Sequence, residues 1–172
     1  MKKRGRLGDP RLRENFVERV FAYRRLRALF AGRWTVGQVV QFHTAHKLTL
    51  MAHSPVAYRD LGQLVAAAKQ RPRADFATEY QSRFMRALSI VATPKRQANV
   101  LHHMLGYFSK AIDTDARNEL PGLIEEHRQG QIPLVVPMTL MRHHVRRQQV
   151  SYLLGQTYLE PHPRELSLRN HV

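Results

Sequence analysis

The chain predicts an all-α protein, a single globular bundle of about seven helices. Apolar residues recur at three- and four-residue steps through nearly every long segment. Cap-plus-proline pairs punctuate these segments at Asp9-Pro10, Ser54-Pro55 and Thr93-Pro94. The one strand-like stretch, Ile132-Pro133-Leu134-Val135-Val136-Pro137, carries two prolines, which demote it to an extended connector. At 172 residues the chain suits one domain with a real core. Residues 9–172 read as that domain, and Met1 to Gly8 as a flexible basic arm with nothing apolar to anchor it.

The elements follow in order. Asp9-Pro10 opens a first helix in which Phe16, Val20, Tyr23 and Leu26/Leu29 repeat at helical spacing, with Gly32 as its stop. Thr35 caps a second, running to about His53. Ser54-Pro55 opens a third through Leu61, Leu64, Val65 and Ala68, and Gln70-Arg71-Pro72-Arg73 breaks the chain. Asp75 is the expected cap of a fourth, with Phe76, Tyr80, Phe84 and Leu88 at four-residue steps. Thr93-Pro94 opens a fifth, to about Ile112. A sixth spans Asp113 to Gln129, with Pro121 as a kink and Gly130 as the stop. A seventh runs from about Met138 to Leu154, and the tail beyond Gly155 holds too many breakers to assign.

Charge sets the class of partner. Lys and Arg total 28 against 13 Asp and Glu, a formal net charge of +15, with ten histidines besides. The first 33 residues alone hold eleven Lys/Arg and three acids. Self-repulsion on this scale in a small folded domain points to a polyanion, whose phosphates release counterions on binding. With no cysteine, the chain itself offers no disulfide, thiolate nucleophile, cysteine-ligated zinc or iron–sulfur cluster. No apolar region follows the basic start, and no run reaches spanning length, so the chain reads as soluble and cytoplasmic, with no membrane partner.

Two helices carry polar residues on an unexpected face. With His43 at 0°, Val36, Val39 and Leu50 fall near about 20°, −40° and −20°, and His46 and Lys47 near about −60° and 40°. His43, His46 and Lys47 therefore share the apolar face. A lysine there either snorkels past its neighbours or contacts an anion, because burying an unpaired ammonium is costly. On the fifth helix, Lys95, Arg96, Asn99, His102, His103, Gly106, Tyr107 and Lys110 fill the arc opposite the apolar one. These residue types track phosphates and stack bases, although a solvated face has the same composition. The seventh carries Arg142, His143, His144, Arg146 and Arg147, and no acid interrupts Met138 to Leu159. Arg142 and Arg146, one turn apart, repel each other unless an anion or an acidic neighbour intervenes.

No phosphate loop, dinucleotide fingerprint, nucleophile elbow or His-Glu-x-x-His is present. His43-x-x-His46 and the pairs His102-His103 and His143-His144 lack carboxylates at ligand spacing, so no metal and no cofactor is expected. No residue is assigned a catalytic role.

Phe42-His43-Thr44-Ala45-His46-Lys47, Met51-Ala52-His53-Ser54 and Tyr58-x-x-Leu61-Gly62 form one ordered set of motifs. Lys95, Asn99-Val100-Leu101-x-His103-x-x-Gly106-Tyr107-Phe108 and Ile132 to Pro137 form a second. His143-His144, Tyr152-Leu153-x-x-Gln156-x-Tyr158-Leu159 and Leu168-Arg169-Asn170 complete the pattern. From about Phe16 to Asn170 the chain resembles the YbgA-type family, a domain of unknown function. That resemblance implies a module found alone or fused behind a cysteine-ligated iron–sulfur desulfidase that acts on thiolated uracil or thiouridine, with the YbgA-type part as the tRNA-binding half. This cysteine-free chain resembles only that half.

The expectation is a nucleic-acid-binding module, most simply for structured RNA such as tRNA. Arg24, Arg25, Arg27, Lys95, Arg142 and Arg146 are the candidate phosphate contacts. Lys47, Asn99, His103 and Tyr107 form the more specific pocket, with His43, His46 and His143 beside these sets. Two alternatives stay open. One is an enzyme acting on a nucleotide or nucleic acid through His43, His46 or His103 and Lys47. The other is an adaptor that docks an acidic protein, such as a separately encoded desulfidase.

Overall fold

The structure is a computed structural model that describes residues 8–163 and Leu166. The expected arm, apart from Gly8, lies outside the described residues, as does the end of the tail. Among the described residues there are nine α-helices and no strand: α1 (Pro10–Phe30), α2 (Val36–Ala45), α3 (Lys47–His53), α4 (Pro55–Ala66), α5 (Arg73–Leu88), α6 (Pro94–Leu105), α7 (Thr114–Arg128), α8 (Val135–Arg147) and α9 (Ser151–Leu154). None is long and apolar enough to cross a membrane.

The cap signals act as expected. Asp9 Oδ1 accepts from the amide of Arg11 at 2.8 Å, and Ser54 Oγ and Thr93 Oγ1 accept from Ala57 and Arg96 at 3.2 and 3.3 Å. Thr35 and Gln38 form a reciprocal capping box. Gly130, at φ 76°, ends the loop after α7 in the left-handed region.

Several boundaries differ from the expectation. α5 begins at Arg73, so Asp75 is not its cap but an acid in the first turn, where the helix dipole favours it. α6 stops at Leu105. Beyond it, Tyr107 and Phe108 donate to Met104 and Leu105, three residues back, which tightens the chain into turns as far as Ile112. α7 continues through Pro121. The presumed connector is helical from Val135, because proline is tolerated in a first turn and Pro137 there is buried. The seventh helix is two helices, α8 and α9, separated at Gln149, whose φ is 50°.

α1 buries a different face from the one its periodicity suggests. Asn15, Glu18, Ala22 and Leu26 point inward, while Phe16, Val20 and Tyr23 are 47–49% exposed. Polar partners in the interior outweigh apolar area here. Asn15 Nδ2 donates to the carbonyl of Leu88 at 3.0 Å, and Glu18 meets His53.

The apolar interior forms two clusters. Ala22, Leu26, Val39, Phe76, Tyr80 and Phe84 centre one among α1, α2, α4 and α5. Leu101, Met104, Phe108, Ile124, Met141 and Leu153 centre the other among α6 to α9. α3 serves both, with Leu48 and Ala52 in the second cluster and Leu50 in the first. Its period of 3.6 turns Leu50 away from the face shared by Leu48 and Ala52.

The expected second helix is divided at His46, whose φ and ψ are −99° and 6°. The division frees backbone groups that the C-terminal segment satisfies. Buried Gln156 donates from Nε2 to the carbonyl of Thr44 at 2.8 Å and accepts from the amide of Leu48 at 3.3 Å. The amide and hydroxyl of Thr157 both donate to the carbonyl of Ala45, at 2.9 and 3.1 Å. Lys47 consequently becomes the first residue of α3, at the seam between the two cores.

Candidate nucleic-acid interface

Lys47 projects into a group of tyrosines at this seam. Its Nζ lies 5.7 Å from the centre of the Tyr152 ring (α9) and 6.0 Å from that of Tyr58 (α4). Tyr107, in the turn after α6, stacks on Tyr152 with centroids 4.9 Å apart and planes at 25°. His103 meets Tyr107 edge-on at 5.4 Å and 84°. Among the described residues no carboxylate forms an ion pair with Lys47. Lys47 is half-buried and its ammonium is stabilised by ring faces, a cation–π arrangement with no compensating carboxylate among the described residues. Burial, with Lys47 adding to it, lowers the pKa of His103 below the ordinary imidazole value, which favours its neutral form. Burial, and then the neighbouring Tyr107 and Tyr58, push Tyr152 up to about 12, so it remains a phenol.

Asn99 and Lys95 extend the site. Lys95, Asn99, His103 and Tyr107 recur every fourth residue, so they form a slowly winding row along α6 that leads to the tyrosines. Lys95 and Asn99 are exposed.

The structure places Arg25, His43 and His46 inside, each with protein partners. His46 has Nδ1 2.8 Å from the Phe42 carbonyl and Nε2 3.2 Å from Arg25 Nε. A guanidinium only donates, so Nε2 is bare and Nδ1 carries the proton. Arg25 also donates to the carbonyl of Pro161 at 3.0 Å, tying α1 to the C-terminal segment. Burial pulls its pKa below the ordinary value, against the carboxylate of Glu18. His43 lies 3.1 Å from the Tyr80 hydroxyl and stacks behind Tyr58 at 5.6 Å with planes at 7°. Burial lowers both histidines to about 4. Of the three, His43 backs the site, through the Tyr58 ring over which Lys47 lies.

The remaining candidates are dispersed. Arg24 and Arg27 are exposed on α1, which packs on α2 and α5. Arg142, His143 and Arg146 lie on α8, which packs on α6, α7 and α9. Arg142 is half-buried and His143 exposed. Arg146 pairs with Glu160, the first acid beyond the acid-free run, so this pair of arginines has the acidic neighbour that its spacing called for.

A second polar cluster lies at the other end of α3. His53 Nδ1 is 2.5 Å from the carbonyl of Ile90, and its Nε2 is 3.2 Å from Glu18 Oε2. Both ring nitrogens face acceptors, so the pair holds one proton beyond a neutral imidazole and a carboxylate. Arg96 donates to the carbonyl of His53 at 2.6 Å, and His127 Nε2 lies 3.0 Å from Gln97 Oε1. A cavity of about 40 Å³, lined in part by Glu18, His53, Gln97, His127 and Tyr158, lies there, a volume suited to ordered water. Among the described residues no three His, Asp or Glu side chains converge as a metal-binding group.

Tyr58 and Tyr152 are the site residues that sequence reasoning missed. Each belongs to the family-like motifs, yet on its own helix each reads only as an amphipathic tyrosine. Their meeting depends on α4 and α9, far apart in sequence, closing on Lys47 from either side.

In comparison with known proteins, the chain is 35% identical over 161 residues to the "Uncharacterized protein YbgA" of Escherichia coli (strain K12), covering 93% of this chain and 95% of the relative. No solved structure matches it. Residues 47–163 match the family described as "Protein of unknown function (DUF1722)". The matched span starts at Lys47 and takes in Tyr58, His103, Tyr107, Tyr152 and Gln156. With more than half of the chain matched, and a relative this similar along nearly its whole length, the chain belongs to the DUF1722 family.

Proposed function

We propose that the protein binds structured RNA of tRNA size in the cytoplasm, with the lysine–tyrosine seam as the focus of the contact. The observation that carries this reading is half-buried Lys47, its ammonium held by aromatic rings with no carboxylate partner among the described residues, in a chain of net charge +15. An uncompensated cation beside stacked rings suits a ligand that brings both phosphate and aromatic base. The row of Lys95, Asn99 and His103 and the exposed Arg24 and Arg27 supply further phosphate contacts. Arg142, His143 and Arg146 contribute at the α8 side, where Arg146 must share its charge with Glu160. A link to thiolated-nucleoside metabolism, with a separately encoded desulfidase as partner, rests on the family resemblance alone.

The test is affinity for a tRNA-sized RNA as a function of salt. The logarithm of the association constant falls against log salt with a slope of several units if about six phosphates are neutralised. Replacing Arg24 and Arg27 together by Ala flattens that slope by about one to two units. Lys47→Met keeps the stem's packing and costs about 1–3 kcal/mol of affinity, as for a lost charge-assisted hydrogen bond. Absence of binding at low salt, or affinity indifferent to salt, refutes the proposal.

A further inference from the structure

We infer that the Tyr152–Tyr107 stack is a receptor for one unpaired base, with Lys47 taking an adjacent phosphate, so that the protein distinguishes single-stranded or loop RNA from duplex. This inference rests on the RNA-binding reading and narrows its ligand.

The geometry of Tyr107 carries it. One face of the ring is covered by Tyr152 at 4.9 Å and His103 meets the ring in a T-shaped contact at 84°, yet Tyr107 is 45% exposed. A half-exposed ring already stacked on one side offers its other face as the next step of that stack. An incoming base would lie there as a third ring, with its in-plane edge free for Asn99 or His103. Nothing in this arrangement selects a particular base, since every base has a π-face.

The platform is held before any ligand arrives. Gly106 ends α6, and Tyr107 and Phe108 follow in tight turns that donate to Met104 and Leu105 at 3.0 and 3.1 Å. Phe108, the next residue, is 1% exposed and stacks on His144 at 5.9 Å, which anchors the turn in the second core. Tyr152 is fixed between Lys47 and Tyr107. Little freedom remains to be lost on binding, so stacking energy passes into affinity.

Access separates the two RNA forms. Lys47 and Tyr152 are both only partly exposed, recessed between α4 on one side and α6 and α9 on the other. A base held inside a duplex has both faces covered by its neighbours and cannot reach the Tyr107 ring without being extruded, which costs a few kcal/mol. An unpaired nucleotide does not bear that cost.

The experiment uses the full chain and three probes at one fixed salt concentration: a mixed-sequence 12-nucleotide single-stranded RNA, the same sequence as a blunt duplex, and the single strand with one base replaced by the fluorescent base 2-aminopurine. The expected result is tighter binding of the single strand, with 2-aminopurine emission quenched on binding. Tyr107→Ala should lower single-strand affinity about five- to a hundred-fold, as for one lost base–aromatic stack, and remove the quenching, while Tyr107→Phe keeps both. Duplex affinity should be unchanged in both variants. Equal wild-type affinity for the two RNA forms, or RNA binding untouched by Tyr107→Ala, overturns the base receptor and leaves the RNA reading standing. Failure of both RNA forms to bind overturns this inference, and failure of a tRNA-sized RNA to bind beside them overturns the RNA reading itself. Melting temperatures of the variants, expected to match the wild type because Tyr107 lies on the surface, confirm that a loss of affinity is not a loss of fold.

Discussion

Replacing Gln156 by Met removes the stitch that makes the bend at His46 possible. The side chains are close in volume, so no large cavity opens. What is lost is hydrogen bonding at two backbone groups: the Leu48 amide, held at 3.3 Å, and the Thr44 carbonyl, held at 2.8 Å. Leu48 is fully buried and its amide has no route to water, so it bears the larger share of a desolvation cost of about 1–3 kcal/mol per group. Thr44 is an exposed residue, which lets water replace part of its bond. Thr157 continues to hold the Ala45 carbonyl. The net expectation is a loss of about 2–3 kcal/mol, or a fall in melting temperature of roughly 5–10 °C for a chain of this size. Urea unfolding followed by circular dichroism measures it. RNA affinity should fall in the folded variant as well, because Lys47 begins α3 directly after the bend. A change in stability below about 0.5 kcal/mol would show that the bend does not depend on Gln156, and the argument linking the C-terminal segment to the placement of Lys47 would fail.

Acid should destabilise the fold over a defined window. His43 and His46 sit near pKa 4 in the folded protein and near about 6.5 unfolded, so between these values the unfolded chain binds more protons and stability falls as pH falls. The decline is about 1.4 kcal/mol per pH unit for each ring, with a plateau above pH 7. A urea midpoint unchanged from pH 7 to 5 contradicts the buried neutral assignment. His53→Leu takes the imidazole partner from buried Glu18 and should cost about 1–3 kcal/mol, whereas Glu18→Leu with His53→Leu recovers part of that loss; a double variant less stable than the single one counts against a coupled pair. On α1, Phe16→Ser and Tyr23→Ser should each change stability by less than about 1 kcal/mol, while Leu26→Ala costs about 2–5 kcal/mol. Equal losses at the three positions in thermal melts would mean that the outward face of α1 is covered in solution.

The amino-acid sequence by itself determined the all-α class, the helix starts that Asp9, Thr35, Ser54, Thr93 and Asp113 mark, and the sign of the chain's own charge. These are local or additive properties. An Asp, Ser or Thr before proline caps whatever helix follows, and net charge is a sum over residues. It also singled out Lys47, His103 and Tyr107, because each sits against its helix's pattern or in a polar arc. Only the tertiary structure decided which face of α1 is buried, since Asn15 and Glu18 are drawn inward by Leu88 and His53, more than thirty residues away. Only it decided that the long second helix bends at His46, because the groups that satisfy the bend belong to Gln156 and Thr157. Periodicity reports what one helix would bury against a uniform core, and it carries no record of a hydrogen-bond partner more than a hundred residues distant. For the same reason Tyr58 and Tyr152 stayed hidden as partners of Lys47. Their chemistry is visible in the sequence, but their meeting is a property of how the two cores close on α3.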